Sequence, residues 1–275
     1  MQEQATAWRH AGDDVGFVPT MGALHAGHDS LVARARRENQ RVIVSIFVNP
    51  AQFGPNEDFE HYPRPFDRDR ARLEALGVDA IFHPPVDQIY PSAFKTRVDP
   101  GPLAELLEGI SRPGHFAGVL TVVLKLFNVT QPKRAYFGQK DFQQVVLVRQ
   151  LARDFALPVR IVAVPTVREP DGLAMSSRNA YLNPAQRALA PALSRALEAG
   201  AKRFEAGVTD PAALEATARS ILDGIPDLVI EYVAVVDDAT LRRPARALPG
   251  SVLAVAVKLG STRLIDNVVL GAERH

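Results

Sequence analysis

A short apolar strand that runs directly into a glycine turn and a helix constrains the fold of this sequence more than any other feature. The strand is predicted over Val15–Val18 and the helix over His28–Asn39. Between them lies the step His25–His28 (HAGH), whose two histidines are three residues apart and so share one side of a helical turn. The first N–H groups of a helix lack helical partners, and the helix dipole favours an anion there. The segment therefore predicts a phosphate site suited to a nucleoside triphosphate.

Strands and helices alternate through the first part of the chain. Arg41–Val48 is a continuous run rich in β-branched residues, as expected for a strand covered on both faces. Repeated strand–helix units predict a parallel sheet with right-handed crossovers, and ligands bind at the carboxyl ends of such strands. The other predicted strands are Ala80–His83, Ala135–Phe137 and Val159–Val164, and the other predicted helices are Phe66–Leu76, Leu103–Glu108, Val119–Val129 and Asp141–Phe155.

The pattern changes near Thr166, where we place a domain boundary. Two helices are predicted beyond it, over Asn183–Ala206 and Pro211–Leu222, followed by three strands. Helices followed by strands are typical of a separate α+β domain. The sequence therefore predicts an α/β protein with a parallel-sheet domain over 1–166 and a smaller C-terminal lid domain over 167–275. The three strands are Leu228–Val236, Ser251–Lys258 and Arg263–Leu270.

The composition excludes several classes of protein. The formal net charge is +1, without the basic excess of a nucleic-acid-binding surface. The absence of cysteine excludes disulfides and thiolate metal sites. No apolar run approaches the ~20 residues that span a bilayer, and the polar N-terminus is unlike a signal peptide. We therefore expect a cytoplasmic protein that binds neither nucleic acid nor membrane.

Two further segments have residues suited to binding phosphate. Tyr136–Asp141 repeats the strand–glycine–helix arrangement, and Lys140 is four residues from Gln144, on the same predicted face. Asp171–Asn179 combines a glycine, two hydroxyl groups and an arginine, which together can hold an anion. Taken alone, the first is also compatible with an ordinary turn and the second with an interdomain linker.

Two other segments have residues suited to a small organic acid. Asn49–Phe53 follows the second strand and has two amide side chains that can orient a polar substrate. Arg112–Val119 places an arginine and a histidine beside Val122 and Val123, which suits a carboxylate on a branched aliphatic body. In isolation each is equally a turn or a loop before a core helix. Dinucleotide-binding, P-loop and α/β-hydrolase fingerprints do not occur in the sequence.

In this order, five motifs resemble those of the pantoate–β-alanine ligase family of the nucleotidyltransferase superfamily. They are PTMGALHAGH, NPAQF, RPGHFAGVLTVV, YFGQKDFQQ and DGLAMSSRN, and the resemblance extends over nearly the whole chain. It implies a Rossmann-like N-terminal domain, a smaller C-terminal domain and a homodimer. It also implies a two-step reaction, in which pantoate and MgATP give pantoyl adenylate and pyrophosphate, and β-alanine then gives pantothenate and AMP. Mg²⁺ is expected to arrive with ATP and to need no metal site made by the protein.

The resemblance also implies roles for individual residues. ATP is expected along Met21, Gly22, Ala23, Leu24, His25, Ala26, Gly27, His28, Gly138, Gln139, Lys140, Asp141, Val167, Met175, Ser176, Ser177 and Arg178. The residues expected to stabilise the charge that develops in the reaction are His25, His28, Lys140, Ser176, Ser177 and Arg178. Pantoate is expected at Gln52, Gln144 and Asn49, with its gem-dimethyl group against Val122, Val123 and Phe137, while Tyr62, Arg112 and His115 border the site.

Two positions depart from the family pattern, and two rival functions remain open. Asp29 stands where an apolar residue is common, and we interpret it as a helix cap. Gln139 replaces a common glutamate, which we expect to be tolerated. The rival readings are a different adenylyltransferase, such as one acting on phosphopantetheine, and a non-catalytic nucleotide-binding regulator. The second predicted domain and the Gln52/Gln144 pair argue against the first, and the intact histidines argue against the second.

Overall fold

The computed structural model describes residues 1–55 and 57–272. By contacts along the backbone the chain divides into two compact units. The first unit comprises residues 1–139 and 143–165, and the second comprises residues 140–142 and the chain from Thr166 onward.

A five-stranded, fully parallel sheet forms the centre of the first unit. Its strands lie in the order β3-β2-β1-β4-β5, so the chain proceeds outward in opposite directions from the β1–β4 pair. This reversal is the topological switch point at which parallel α/β sheets bind ligands. The strands are β1 (Val15–Thr20), β2 (Arg41–Ile46), β3 (Ala80–Phe82), β4 (Arg134–Gly138) and β5 (Arg160–Val164).

Helices cover both faces of this sheet. Successive strand residues point to opposite faces, so Phe17 and Ile43 belong to one hydrophobic cluster while Val18 and Val44 belong to another. This explains why β1 and β2 are apolar at nearly every position. The helices of this part of the chain are α1 (Gln2–His10), α2 (Ala26–Glu38), α3 (Phe66–Ala75), α4 (Val86–Ile89), α5 (Glu108–Ser111), α6 (His115–Thr130) and α7 (Phe142–Asp154).

Several predicted boundaries in the first unit are wrong. Helix α1 was not predicted, although its Ala5 is fully buried and its Trp8 packs against the core. The predicted helix over Leu103–Glu108 is instead a 3-10 turn over Pro102–Glu105 followed by the short α5. Helix α6 begins at His115, ahead of the predicted start, because Gly114 directly before it adopts φ +81° and turns the chain there.

The second unit packs helices against an antiparallel sheet. Its strands β6 (Leu228–Val236), β7 (Val252–Leu259) and β8 (Thr262–Val269) lie in chain order. Its helices are α8 (Pro184–Leu189), α9 (Ala192–Glu205) and α10 (Pro211–Leu222). The single predicted helix over Asn183–Ala206 is wrong, because Pro191 has no N–H to donate and separates α8 from α9.

The two units together confirm the predicted α/β fold class, with a parallel sheet first and a smaller α+β unit after it. Over residues 1–55 and 57–272, no helix combines the length and the apolar character that a membrane crossing needs.

Candidate active site

The two strands at the switch point end in two of the predicted nucleotide segments. Met21 follows β1 and Gln139 follows β4, both at the carboxyl edge of the sheet. At Gly138, a Cβ would meet no atom within 4 Å. Packing within the protein therefore does not require glycine there, and the missing side chain leaves the end of β4 open to a ligand.

The turn after β1 is held by a carboxylate that the sequence did not single out. Gly22 and Ala23 have φ of +83° and +51°, a left-handed conformation that is unfavourable for alanine. Asp69, on α3 and 1% exposed, accepts hydrogen bonds from Ala23 N at 2.7 Å and Leu24 N at 2.9 Å. Two bonds to one buried carboxylate offset the strain and fix the path of the chain into α2.

The two histidines form a reciprocal cap on the N-terminus of α2. His25 Nδ1 accepts from Gly27 N at 3.1 Å, and His28 Nδ1 accepts from His25 N at 3.3 Å. This has the form of a capping box, and it brings the ring centroids to 4.2 Å. A neutral imidazole that accepts at Nδ1 has its hydrogen on Nε2. The cap therefore makes both Nε2 atoms donors, which is the polarity that phosphate oxygens need.

Asp29 does not cap α2, so that prediction is wrong. The capping residue is His25, four positions earlier, and Asp29 instead receives two hydrogen bonds from Arg72, at 2.6 Å and 2.5 Å. Arg72 lies one turn after Asp69 on α3, so the same helix contacts both the turn before α2 and its first turn. Asp29 is a residue that joins α2 to α3.

The Asn49–Gln52 segment forms a buried polar turn after β2. Asn49 is 1% exposed and Gln52 is 9% exposed. Asn49 Nδ2 donates to Gln52 Oε1 at 3.0 Å and to Gly118 O at 3.1 Å. Gln52 Nε2 lies 3.1 Å from the sulfur of Met21. The structure therefore brings the predicted pantoate residues Asn49 and Gln52 next to the first residue of the predicted nucleotide turn.

Arg112 and His115 form hydrogen bonds with other residues of the chain. Arg112 donates to both carboxylate oxygens of Glu57 at 2.6 Å, and its Nη1 lies 3.0 Å from His115 Nε2. His115 Nδ1 contacts Gln52 O at 2.8 Å. Within the protein, Arg112 therefore binds the carboxylate of Glu57.

Electrostatic interactions keep His115 and Glu57 each in one protonation state at neutral pH. Burial and the nearby positive charge of Arg112 lower the pKa of His115 from 6.5 to about 4, so the imidazole is neutral at neutral pH. Burial raises the pKa of Glu57, but the hydrogen bonds and charge of Arg112 outweigh this and leave that pKa below its usual value. Glu57 and Arg112 therefore remain an ion pair.

The predicted apolar surface is a single cluster. Val122 and Val123 on α6 and Phe137 on β4 are buried in the same hydrophobic core. Gln144 lies half-buried in the first turn of α7, and Tyr62 is buried with its ring 6.0 Å from that of Phe53. These residues supply an apolar surface and amide groups within the first unit.

In the second unit, strand β8 contacts Lys140 and the turn that begins at Ser177, which are among the remaining predicted residues. Lys140 lies in a 3-10 turn over Gln139–Asp141, before α7, so the predicted helical face shared with Gln144 is wrong. The carbonyl of Lys140 accepts from Asn267 of β8 at 2.9 Å, and its Nζ lies 3.9 Å from the carboxylate of Asp141. The 3-10 turn Ser177–Tyr181 also packs against β8.

Local hydrogen bonds shape the loop before that turn. Ser176 Oγ accepts from Arg178 N at 3.2 Å and caps the turn, and Met175 N donates to Val167 O at 3.0 Å. These hydrogen bonds bring Val167, Met175, Ser176 and Arg178 into one compact loop.

The side chains of the described residues do not form a metal site of their own. In residues 1–55 and 57–272, no three His, Cys, Asp or Glu side chains converge as metal ligands would. Asp69, the buried carboxylate nearest the nucleotide turn, has both oxygens in use by Ala23 and Leu24. The residues present fit a divalent ion only if phosphate oxygens supply most of its ligands.

Sequence reasoning missed the residues that hold the site in place. Asp69, Glu57 and Asn267 each bond to a segment far away in the sequence, and none lies in a recognisable motif. The one available signal was a pair of acidic residues at the start of a helix, which the structure separates into an exposed Asp67 and a buried Asp69.

A parallel α/β sheet with a helix N-terminus at its switch point is an arrangement typical of nucleotide-binding enzymes. The sequence matches the pantoate–β-alanine ligase family over residues 1–269. It is 57% identical over 266 residues to the pantothenate synthetase of Chloroflexus aurantiacus, covering 96% of this chain and 95% of that protein. It is 53% identical to that of Agrobacterium fabrum, covering 100% and 94%.

Solved structures give the same result. The pantothenate synthetase of Thermus thermophilus superposes with a TM-score of 0.92 at 49% identity, covering 96% of this chain and 97% of that one. The pantoate–β-alanine ligase of Francisella tularensis, in complex with β,γ-ATP and β-alanine, gives 0.78 at 38% identity, covering 98% and 96%. The chain belongs to the pantoate–β-alanine ligase family, and it is therefore a ligase.

Proposed function

We propose that this enzyme condenses (R)-pantoate with β-alanine, using ATP, to give pantothenate, AMP and pyrophosphate through a pantoyl adenylate. The observation that favours this most is the reciprocal His25–His28 cap at the N-terminus of α2, next to the switch point. In this cap Nε2 of each neutral imidazole is a donor, and the N-terminus of the helix favours an anion such as a nucleotide phosphate. The family membership and the ATP and β-alanine bound to the Francisella tularensis enzyme support the same substrates.

In the first step, a pantoate carboxylate oxygen attacks the α-phosphorus of ATP. The bond from that phosphorus to the bridging oxygen breaks, and pyrophosphate leaves with the electron pair. A carboxylate is a weak nucleophile, so in-line positioning contributes most of the rate. We propose that the growing charge is stabilised by His25, His28, Lys140, Ser176, Ser177 and Arg178.

Pantoate is held by the amide groups and the apolar cluster of the first unit. We propose that Gln52, Asn49 and Gln144 bind its polar groups, and that Val122, Val123 and Phe137 contact its gem-dimethyl group. The nucleotide runs along the rest of the predicted segments, Met21–Gly27, Gly138, Gln139, Asp141, Val167 and Met175. Mg²⁺ would enter with the triphosphate and screen its charge.

In the second step, the neutral amine of β-alanine attacks the acyl carbon of the adenylate. The bond from that carbon to the AMP oxygen breaks, AMP leaves, and the amine loses a proton. An acyl adenylate is already activated, so the site needs only to hold the amine and exclude water.

The test is to measure pyrophosphate and AMP release from MgATP, first with pantoate alone and then with β-alanine added. Pantoate-dependent pyrophosphate of about one turnover, followed by sustained AMP release with β-alanine, would establish the two steps. Nucleotide binding without pantoate dependence would instead support a regulator or another adenylyltransferase. A homodimer and a cytoplasmic location are also part of the proposal, and light scattering and cell fractionation test them.

A further inference from the structure

The Gln52 turn is held in place by residues to which the proposed reaction assigns no role. Helix α6 passes so close to it that a Cβ on Gly118 would lie 2.0 Å from the carbonyl oxygen of Ala51. Gly118 O also accepts from Asn49. The backbone of the turn therefore has little freedom to shift relative to α6.

The side chain of Gln52 is oriented through Asn49 by Tyr90. The Tyr90 hydroxyl donates to Asn49 Oδ1 at 2.8 Å, and that oxygen also accepts from Ala51 N at 3.2 Å. The Asn49 amide nitrogen must then face the other way, where it donates to Gln52 Oε1 at 3.0 Å. Since Oε1 is used as an acceptor, the Nε2 group of Gln52 points away from Asn49 and toward Met21. Gln52 thus presents hydrogen-bond donors to the predicted substrate site.

The backbone of Gln52 is held by His115. A carbonyl oxygen can only accept, so the 2.8 Å contact between His115 Nδ1 and Gln52 O places the imidazole hydrogen on Nδ1. His115 Nε2 is then an acceptor, and Arg112 Nη1 donates to it at 3.0 Å. Arg112 is held in turn by Glu57. The imidazole is 8% exposed, and its tautomer is fixed on both sides.

We propose that Tyr90 and His115 are positioning residues for pantoate, because together they fix the Gln52 amide as a hydrogen-bond donor. The inference rests on the proposed function, in which Gln52 binds pantoate. A donor is the group that a carboxylate requires, since an ionised carboxylate only accepts hydrogen bonds. Neither residue has to contact the substrate for this role.

The experiment compares three variants of the full-length enzyme. Tyr90→Phe removes one hydroxyl group. His115→Gln places an amide oxygen, which can still accept from Arg112, where Nε2 was, and it loses the donor at Nδ1. His115→Asn keeps an amide nitrogen as the donor at the Nδ1 position. Pyrophosphate release gives KM for pantoate and for ATP, and urea unfolding gives stability.

We expect Tyr90→Phe and His115→Gln to raise KM for pantoate about 3- to 10-fold, the effect of one lost hydrogen bond. KM for ATP stays within about twofold of wild type, because the nucleotide turn is held separately by Asp69. His115→Asn remains near wild type in both constants.

Tyr136→Phe is the matched control. The Tyr136 hydroxyl is also buried and bonded, accepting from Asn39 at 2.7 Å and donating to Glu38 at 2.8 Å. In the described part of the chain its hydrogen-bond partners are Asn39 and Glu38, neither of which lies in the Gln52 turn. The same lost group should therefore reduce stability and leave KM for pantoate unchanged.

The outcomes separate the two proposals. A wild-type enzyme with no pantoate-dependent pyrophosphate release overturns the proposed function and this inference with it. A pantoate-dependent wild type whose Tyr90→Phe and His115→Gln variants keep a normal KM for pantoate overturns the inference alone. The inference also fails if KM for pantoate and ATP rise together, or if His115→Asn is as impaired as His115→Gln.

Discussion

Asp69 gives the sharpest test of how the nucleotide turn is built. Its two carboxylate oxygens accept from Ala23 N and Leu24 N in a site that is 1% exposed. Asp69→Asn is nearly isosteric, but it replaces one oxygen with an NH₂ group that must face a backbone N–H. One hydrogen bond to a charged acceptor, about 1.5–3 kcal/mol, is lost, and a buried donor is left without a partner. We expect a total cost of about 3 kcal/mol.

The cost should appear both in stability and in nucleotide binding. Urea unfolding should give a free energy of unfolding lower by about 3 kcal/mol, with an unchanged denaturant slope. Relaxation of the strained turn at Gly22 and Ala23 displaces the His25–His28 cap, so KM for ATP should rise about tenfold or more. KM for pantoate should change less, because the Gln52 turn does not depend on Asp69.

The matched control is Asp67→Asn, on the same first turn of α3. Its carboxylate is 89% exposed, and the substitution changes the net charge and the helix-dipole interaction in the same way. We expect a change within about 0.5 kcal/mol for it. If Asp69→Asn behaves like Asp67→Asn in both assays, the two backbone hydrogen bonds do not hold the turn and the reasoning is wrong.

Three further predictions follow from the site. His28→Ala should slow pantoate-dependent pyrophosphate release about 10²–10³-fold, as expected for one lost transition-state donor, while the protein still unfolds cooperatively; a near-normal rate would remove His28 from the mechanism. Gly138→Ala should leave the urea midpoint unchanged, because a Cβ there meets no protein atom within 4 Å, yet raise KM for ATP; an unchanged KM would place the nucleotide elsewhere. Folding lowers the pKa of His115 from 6.5 to about 4, so the unfolded chain binds a proton at this imidazole more tightly than the folded protein does. The free energy of unfolding is therefore unaffected by this group above about pH 7. It decreases by about 3 kcal/mol as the pH falls toward 4. Urea unfolding at pH 7 and pH 4.5 should show a smaller acid loss for His115→Asn than for wild type, and equal losses would refute the assignment.

The sequence predicted the parts of the fold that depend on local pattern. The apolar runs of β1 and β2 and the strand–glycine–helix order were enough to predict the parallel sheet. Predictions failed where a single residue interrupts a pattern or where a tertiary contact creates an element. Pro191 divides an otherwise continuous helix, and α1 exists because Ala5 and Trp8 reach the core.

The site was predicted less completely, for a physical reason. Residues that belong to motifs, such as His25 and Gln52, were identified, and their roles stay predictions until the assays above are made. Residues that hold the motifs could not be found, because each acts through a hydrogen bond over a long separation in sequence. Asp69 bonds to Ala23 across 46 residues, and Asn267 bonds to Lys140 across 127. No periodicity links such positions.

The direction of hydrogen bonds is a further property that residue identity does not give. A histidine or a glutamine can donate or accept at each polar atom, and the choice is set by partners whose polarity is invariant. Backbone N–H groups make Nδ1 of His25 and His28 acceptors, so their Nε2 atoms are donors. A backbone carbonyl makes Nδ1 of His115 a donor, which is the opposite tautomer. The same side chain therefore has its donor at Nε2 in one place and at Nδ1 in another, and the difference lies in the backbone group that each imidazole faces.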